Sequence, residues 1–256
     1  MIELSLIGIG TGNPKHLTLQ AAEAIGTQDL ILIPNKGAGK DDLAGLRHAI
    51  CARALEGCAT PPAIVEFDLP IRDEATRDYR QRVDDWHDAI AEIWRQAIAT
   101  NLPEGGKVGF LVWGDPSLYD STLRIADRLT RSPEVTDEIV VKVLPGITSI
   151  QALTASHAIP VNTINGPFVV TTGRQLRDNG WPAAVDTVVV MLDGQCSFQT
   201  LPSEGLQIWW TAYAGMDNEI TVSGPVDEVT QTILDTRAAA RADHGWLMDI
   251  YLLHRA

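Results

Sequence analysis

Three short stretches hold most of the residues that could handle a small ligand: GIGTGNP (residues 8–14), WGDPSLYDST (113–122) and LPGITS (144–149). Each follows an apolar run that reads as a buried strand: Ile2 to Ile9, Val108 to Trp113 and Ile139 to Leu144. In open α/β sheets ligands settle beyond the carboxyl ends of the strands, and residues without bulky side chains let backbone N–H and C=O groups come close to them. A single such loop is an ordinary strand-to-helix turn; three in one chain point to a binding edge. None of the three carries Lys or Arg, which disfavours a phosphate and suits a zwitterionic amino-acid moiety.

Two more familiar nucleotide motifs fail on inspection. A dinucleotide fingerprint, G-x-G-x-x-G, would need glycine at position 13 or 15, where Asn13 and Lys15 stand, and Pro14 removes a backbone donor. Gly39-Lys40 resembles the end of a phosphate loop, but Pro34 stands where its first glycine belongs and Asp41 where Ser or Thr is required.

The elements that present these loops follow from periodicity. Strands are expected at Ile2 to Ile9, Leu30 to Ile33, Ala63 to Phe67, Val108 to Trp113 and Ile139 to Leu144, separated by helical stretches. A helix is expected from Leu17 to Ile25. Another has Asp41-Asp42 at its cap, Leu43, Leu46 and Ile50 as its apolar stripe, and Arg47 and Arg53 bordering it. From Thr76 to Ile98, Tyr79, Val83, Trp86, Ile90, Ile93 and Ala97 recur at helical spacing and read as one core-facing stripe. A helix follows from about Ser121 to Thr130, and another from Ile150 to His157, broken by Pro160. Beyond it come short β-rich segments at Phe168 to Thr172, Thr187 to Leu192, Gln207 to Ala212, Ile220 to Ser223 and Trp246 to Leu253, with a helix from Val226 to about Arg241. The expected architecture is two α/β domains. Residues 1–150 form a doubly wound, mostly parallel five-stranded sheet and residues 151–256 a mixed sheet.

Composition narrows the partners. The 256 residues are 45% hydrophobic and 21% charged, which describes a soluble globular protein with a sizeable core. Lys plus Arg number 20 against 33 Asp plus Glu, a formal charge of -13 that would repel nucleic acid and anionic lipid. A local cationic cluster could still take a negative ligand, because charges are screened over about 8 Å. Cys51, Cys58 and Cys196 are odd in number and lack zinc spacing, so they read as reduced thiols with no metal site. With no basic leader and no apolar run approaching the roughly 20 residues that span a bilayer, a cytoplasmic location is expected.

Taken together, LIGIGTGNPKHLTLQA, VWGDPSLYDS and VLPGITSIQAL resemble the three signature loops of the S-adenosylmethionine-dependent tetrapyrrole (corrin and porphyrin) methyltransferases, the class III methyltransferases. The likeness extends essentially from end to end, through NKGAGKDDLAGLRHAIC, VDDWHDAI, PGITSIQALTASHAIPVN, VVVMLD and GWLMDIYLLHR, and is strongest to a deacetylating branch of aerobic cobalamin synthesis. Thr11 stands where the family often has proline and Trp113 where smaller residues are common, departures that touch side-chain contacts alone.

The resemblance implies S-adenosylmethionine in the cleft between the two domains, leaving S-adenosylhomocysteine as product. Family positions carry over to Pro14; to Trp113, Gly114, Asp115, Leu118 and Tyr119 for the methionine portion; to Thr148 and Ser149; and to Met191, Ala214 and Leu247 near the adenosine. Met191 reads equally well as a core methionine. The implied substrate is the tetrapyrrole precorrin-5, methylated at C-1 with release of acetate, and the implied assembly is a homodimer. Candidates for the accompanying acid–base work are Tyr119, Asp120, His157, Arg174 and Glu219. Asp120 serves equally well as a cap for the helix at Ser121, His157 as a helix-end residue and Arg174 as a surface arginine. A sister methylase acting on another precorrin and a non-catalytic adenosyl-binding protein remain open alternatives.

Overall fold

The computed structural model describes residues 1–35, 41–71, 78–132 and 138–255, and of residues 41–44 and 79 it describes the backbone alone. The expected cap at Asp41-Asp42, the stripe residues Leu43 and Tyr79, Thr76 and the Gly39-Lys40 pair therefore lie outside the described side chains. The chain divides into two compact units, Met1–Thr148 and Ser149–Ala256.

In the N-terminal unit, β1 (Ile2–Gly8), β2 (Leu30–Asn35), β3 (Ala63–Asp68), β4 (Gly106–Val112) and β5 (Ile139–Leu144) form one parallel sheet in the order β3-β2-β4-β1-β5. Strands of such a sheet are covered on both faces, which is why β1 and β4 read as continuous aliphatic runs rather than alternating ones. One face packs Leu4, Leu6, Leu32, Val108 and Phe110 against α3 (Tyr79–Asn101) and α4 (Thr122–Arg131). The other packs Ile7, Ile9, Ile31, Ile33 and Leu111 against α1 (Leu19–Gly26) and α2 (Asp41–Ala54). This is the doubly wound arrangement expected from the alternation of strands and helices.

Details differ from expectation. Helix α1 starts at Leu19 rather than Leu17, because Pro14–His16 forms a 3-10 turn and Thr18 then caps the helix by accepting from Ala21 N at 3.0 Å. Strand β2 runs through Pro34, which is no obstacle in its last turn of pairing with β3. The buried stripe of α3 is His87, Ile90, Ala91, Trp94 and Ile98, rotated from the expected Trp86-Ile90-Ile93-Ala97 line. The Trp94 ring decides this: it stacks on Phe110 with centroids 3.7 Å apart, and Trp86 is left at the margin.

In the C-terminal unit, β6 (Phe168–Thr172), β7 (Thr187–Met191), β8 (Leu206–Ala212), β9 (Ile220–Pro225) and β10 (Asp249–Arg255) are ordered β6-β7-β10-β8-β9. Only β6 and β7 pair in parallel; β10 runs antiparallel to β7 and β8, and β9 antiparallel to β8, so the sheet is mixed. Helix α7 (Val226–His244) and a helix not anticipated, α6 (Gly173–Asn179), cover the face built on Val188, Val190, Ile208, Trp210, Tyr251 and Leu253. Helix α5 (Ser149–Ser156) opens the unit.

Candidate functional site

Because β1, β4 and β5 are adjacent and parallel, their carboxyl ends deliver all three glycine loops to one edge. The loops are joined there by one backbone–backbone bond and one carboxylate. Gly114 N donates to Gly10 O at 2.7 Å, and Asp115 Oδ2 accepts from Gly146 N at 2.9 Å. A Cβ on Gly8 would lie 2.6 Å from Gly146 N, and one on Gly146 would lie 2.0 Å from Gly114 O, so neither position admits a side chain. Asp115 Oδ1 also accepts from Ser117 N at 2.8 Å and Ser117 Oγ at 2.5 Å. Burial would push this carboxyl up, but the Ser117 hydroxyl and the two N–H donors outweigh it and hold the group below the usual carboxylate range. Asp115 is thus a fixed anion linking the second loop to the third.

The rest of the second loop is set by its two ends. Trp113 packs its side chain against the cluster of Ile7, Ile9, Ile31 and Leu111, so the backbone is the part of it best placed to serve a ligand. Its Nε1 has no hydrogen-bond partner among the described residues. The Arg47 guanidinium lies 5.1 Å from the Trp113 ring centroid, and its Nε donates to Leu111 O at 3.3 Å. Sequence spacing put Arg47 at the border of the α2 stripe; instead it is 4% exposed. Burial lowers its pKa to about 10, with the Asp120 charge opposing the shift, so it remains a cation at neutral pH. Asp120 accepts from Thr122 N at 2.6 Å and Thr122 Oγ1 at 2.5 Å, a turn one residue ahead of the Ser121 N-cap rather than the cap expected of it, and Ser121 itself makes no side-chain cap bond. Between these ends, Leu118 N donates to Asp115 O at 3.2 Å and Leu118 is half-buried. Tyr119 adopts φ 48° and is 44% exposed, a left-handed backbone that a non-glycine residue holds only at a cost in strain. Pro14 is exposed at the start of its 3-10 turn, and Thr148 is half-buried at the end of the third loop, its Cα 3.6 Å from where a Gly114 Cβ would sit.

The C-terminal unit also gathers its candidates at one edge. The carboxyl ends of β6, β7 and β8 point the same way, because β10 is antiparallel to both β7 and β8. Met191 ends β7, paired with Thr172 of β6; Arg174, exposed, is the second residue of α6. Ala214 follows β8 and is buried, and Leu247 packs on the core beside it, since Tyr213 N donates to Met248 O at 2.8 Å. Tyr213 turns the chain with φ 52°, and its hydroxyl donates to Trp246 O at 2.6 Å.

Glu219 secures this turn. Its Oε2 accepts from Gly215 N and, at 2.7 Å, from Ser156 Oγ, tying the residues after Ala214 to the end of α5. Ser149 begins that helix. His157, just past its end, places Nε2 3.2 Å from Trp210 O and 3.0 Å from Thr211 Oγ1. Burial lowers the His157 pKa against the opposing influence of the Trp210 carbonyl and the Glu219 charge, so its neutral form dominates at pH 7.

Sequence reasoning missed a second polar cluster here. Asp193, 6% exposed, accepts from Tyr251 Oη at 2.6 Å, Ser197 N at 2.5 Å, Ser197 Oγ at 2.9 Å and Gln195 N at 3.1 Å. Arg237 donates Nη2 to Asp193 O at 3.1 Å and Nε to Asp249 Oδ2 at 2.9 Å, where Trp210 Nε1 also donates at 3.0 Å. The available signal was an acid directly after the VVVML strand. Among the described residues no group of three or more His, Cys, Asp and Glu is arranged to hold a metal, and no helix is long and apolar enough to cross a membrane. All three cysteines are free, and burial pushes the Cys51 thiol up to about 11, so it is unreactive at neutral pH.

Known proteins match this arrangement closely. The chain is 48% identical to a precorrin-6A synthase (deacetylating) of Sinorhizobium sp, over 100% of this chain and 96% of that protein. A cobalamin synthesis related protein (CobF) from Corynebacterium diphtheriae superposes with a TM-score of 0.81 at 35% identity, covering 100% of this chain and 99% of that one. The fold is shared more distantly with a uroporphyrin-III C-methyl transferase from Thermus thermophilus, solved with S-adenyl homocysteine: TM-score 0.60, 18% identity, 98% of this chain and 92% of that one. The family model for tetrapyrrole (corrin/porphyrin) methylases matches residues 3–230, and with the three knitted glycine loops this establishes that the chain belongs to that family.

Proposed function

We infer that the chain is an S-adenosylmethionine-dependent C-methyltransferase of aerobic cobalamin biosynthesis, which methylates precorrin-5 at C-1 and releases acetate to give precorrin-6A. The observation that carries this reading is the 48% identity to a deacetylating precorrin-6A synthase along the whole chain. The N-terminal edge suits the cofactor: a Cβ at Gly8 or Gly146 would break the packing that aligns the loops, no basic side chain projects from the loops to oppose a sulfonium, and Asp115 supplies a fixed negative charge. Pro14, Trp113, Gly114, Asp115, Leu118, Tyr119 and Thr148 of the first unit, and Ser149, Met191, Ala214 and Leu247 of the second, are the residues proposed to hold it. When bound, S-adenosylmethionine supplies a methyl group already activated by its sulfonium, so the chain's share of methyl transfer is positioning and exclusion of water.

Release of acetate asks more of the side chains. A hydroxyl adds to the ketone carbon, the bond from that carbon to the ring breaks, and its electron pair stays on the ring. Tyr119, whose pKa burial raises, stays protonated and is assigned as a hydrogen-bond donor to the developing oxyanion. His157, held neutral by burial, is assigned as the base that takes the proton of water. Asp120 and Glu219 have their carboxylates engaged by Thr122 and by Ser156 and Gly215, and are assigned to hold loops. Arg174, exposed at the start of α6, is assigned to a carboxylate arm of the macrocycle.

Incubation with precorrin-5 and S-adenosylmethionine tests the reading. Acetate appearing in step with methylation is expected. Methylation without acetate indicates a sister methylase, and tight S-adenosylhomocysteine binding without turnover indicates a non-catalytic adenosyl-binding protein. Arg174→Ala should raise the KM for precorrin-5 with cofactor affinity unchanged; joint loss of both would remove the substrate role. A homodimer and a cytoplasmic location complete the proposal, supported by the family resemblance and by the free thiols; light scattering of the purified protein tests the first.

A further inference from the structure

The loop after β7 combines features that an ordinary turn does not need. Leu192 is held at φ 54°, and its side chain is 67% exposed, while Asp193 beside it is almost wholly buried. An apolar side chain pushed into solvent on a left-handed backbone is a strained arrangement that persists only when its surroundings enforce it. Here the enforcement is visible. Four donors, from Tyr251, Ser197 twice and Gln195, converge on the Asp193 carboxylate, and Arg237 takes its carbonyl at 3.1 Å and that of Gly194 at 3.4 Å.

The same carboxylate presses on a second element. A Cβ on Gly173 would lie 2.2 Å from both Cγ and Oδ1 of Asp193, so the start of α6 rests directly against it. Gly173 is flanked by Thr172, which pairs with Met191, and by Arg174. One buried anion therefore sets the position of two neighbouring strand ends: Met191-Leu192 on one side and Thr172-Gly173-Arg174 on the other.

We propose that Asp193 is a positioning residue that couples the adenosine-lining end of β7 to the Arg174 end of β6. It acts by fixing Leu192 in its exposed, left-handed conformation and by seating Gly173. The proposal rests on the assignment of Met191 to the cofactor and Arg174 to the macrocycle made above. Two changes at one contact should then have one phenotype. Asp193→Asn removes the charge that gathers the donors, and Gly173→Ala drives a methyl group into the carboxylate.

The experiment is calorimetry with S-adenosylhomocysteine and steady-state kinetics with precorrin-5, on wild type, both variants and the exposed control Glu204→Gln. Both variants should weaken S-adenosylhomocysteine binding by about tenfold, the size of one lost charge-assisted contact. They should also raise the KM for precorrin-5 by a similar factor, with kcat at saturation changed less, and the control should be unaffected. A merely structural role would lower the unfolding midpoint without moving the dissociation constant or KM of the folded fraction, and that result overturns the proposal. If either variant does not fold, Leu192→Ala decides. Its exposed side chain contributes little to the core, so an unchanged dissociation constant overturns the proposal and a weakened one with unchanged midpoint supports it. Should wild type itself not bind S-adenosylhomocysteine, it is the assignment of function that fails, separately from the role of Asp193.

Discussion

The two units hold their strand ends by opposite means. In the N-terminal unit Gly8, Gly114 and Gly146 meet main chain to main chain, Gly114 N reaches Gly10 O at 2.7 Å, and one side chain, Asp115, adds a strut. In the C-terminal unit the corresponding edge is braced by side chains: Asp193, Tyr251, Arg237, Asp249 and Trp210 around β7, and Glu219 with Ser156 around the turn after β8. Glycine packing is steric and indifferent to charge; a side-chain network in a low-dielectric setting is strong when complete and costly when one member is removed. The first edge should therefore respond mainly to added volume, whereas the second should respond to lost charge as well as to volume added against it at Gly173.

The largest expected effect is at the second edge. Arg237→Met leaves Asp249, with a side chain 10% exposed, without its cation and should destabilise the protein by about 4 kcal/mol in urea unfolding followed by tryptophan fluorescence. A loss below about 1 kcal/mol would put the pair among ordinary surface ion pairs and erase the contrast. Next comes Gly146→Ala, whose Cβ would stand 2.0 Å from Gly114 O. It should cost about 3 kcal/mol by overpacking and abolish S-adenosylhomocysteine binding in calorimetry. Asp115→Asn should do less. It keeps the volume and weakens the bonds from Gly146 N and Ser117, for about 1.5 kcal/mol and a measurably larger dissociation constant. Normal cofactor binding in Asp115→Asn, with none in Gly146→Ala, would sharpen the comparison: the first edge would then be held by packing alone.

The same contrast explains what could be read from the chain before folding. Glycine and proline announce their purpose by type, so the three loops and the strands feeding them are legible locally, as is the mixed texture of residues beyond Pro160. The bracing residues announce nothing. Asp193 meets Tyr251 across 58 positions and Arg47 meets Leu111 across 64, so their roles exist only once strands are paired. Arg47 looked like the solvated border of an amphipathic helix because a pattern records polarity, not the carbonyl waiting at the far strand. In α3 the Trp86 line and the Trp94 line, the latter interrupted by His87, both recur at helical spacing; Phe110, which stacks on Trp94, chose between them. Helix α6 escaped notice for a related reason. Seven residues are too few for a periodic signal, and its first, Gly173, is there to clear the Asp193 carboxylate.

The smallest effect separates the two edges by pH. Asp115 and Asp193 both have carboxyls held below their ordinary range in the folded state. For Asp193 burial acts against this, and the Tyr251, Ser197 and Gln195 donors prevail. A depressed carboxyl gives stability that is complete above the unfolded value of about 3.9 and is lost as pH falls through the folded one, so neither residue contributes a slope between pH 7 and 5. His157 does. Its folded pKa lies below the unfolded value of about 6.5, so on acidification the unfolded chain takes up the proton first and stability declines from there until the folded pKa is passed. The slope can reach no more than about 1.4 kcal/mol per pH unit, the limit for one proton. Subtracting the urea-unfolding free energies of His157→Gln from those of wild type at pH 7, 6 and 5 should isolate this decline. The same subtraction with Asp115→Asn should be flat over that range. Equal slopes in His157→Gln and wild type would show that the histidine beside Thr211 is not buried neutral, and the charge-sensitive character of the second edge would then rest on Asp193, Arg237 and Asp249 alone.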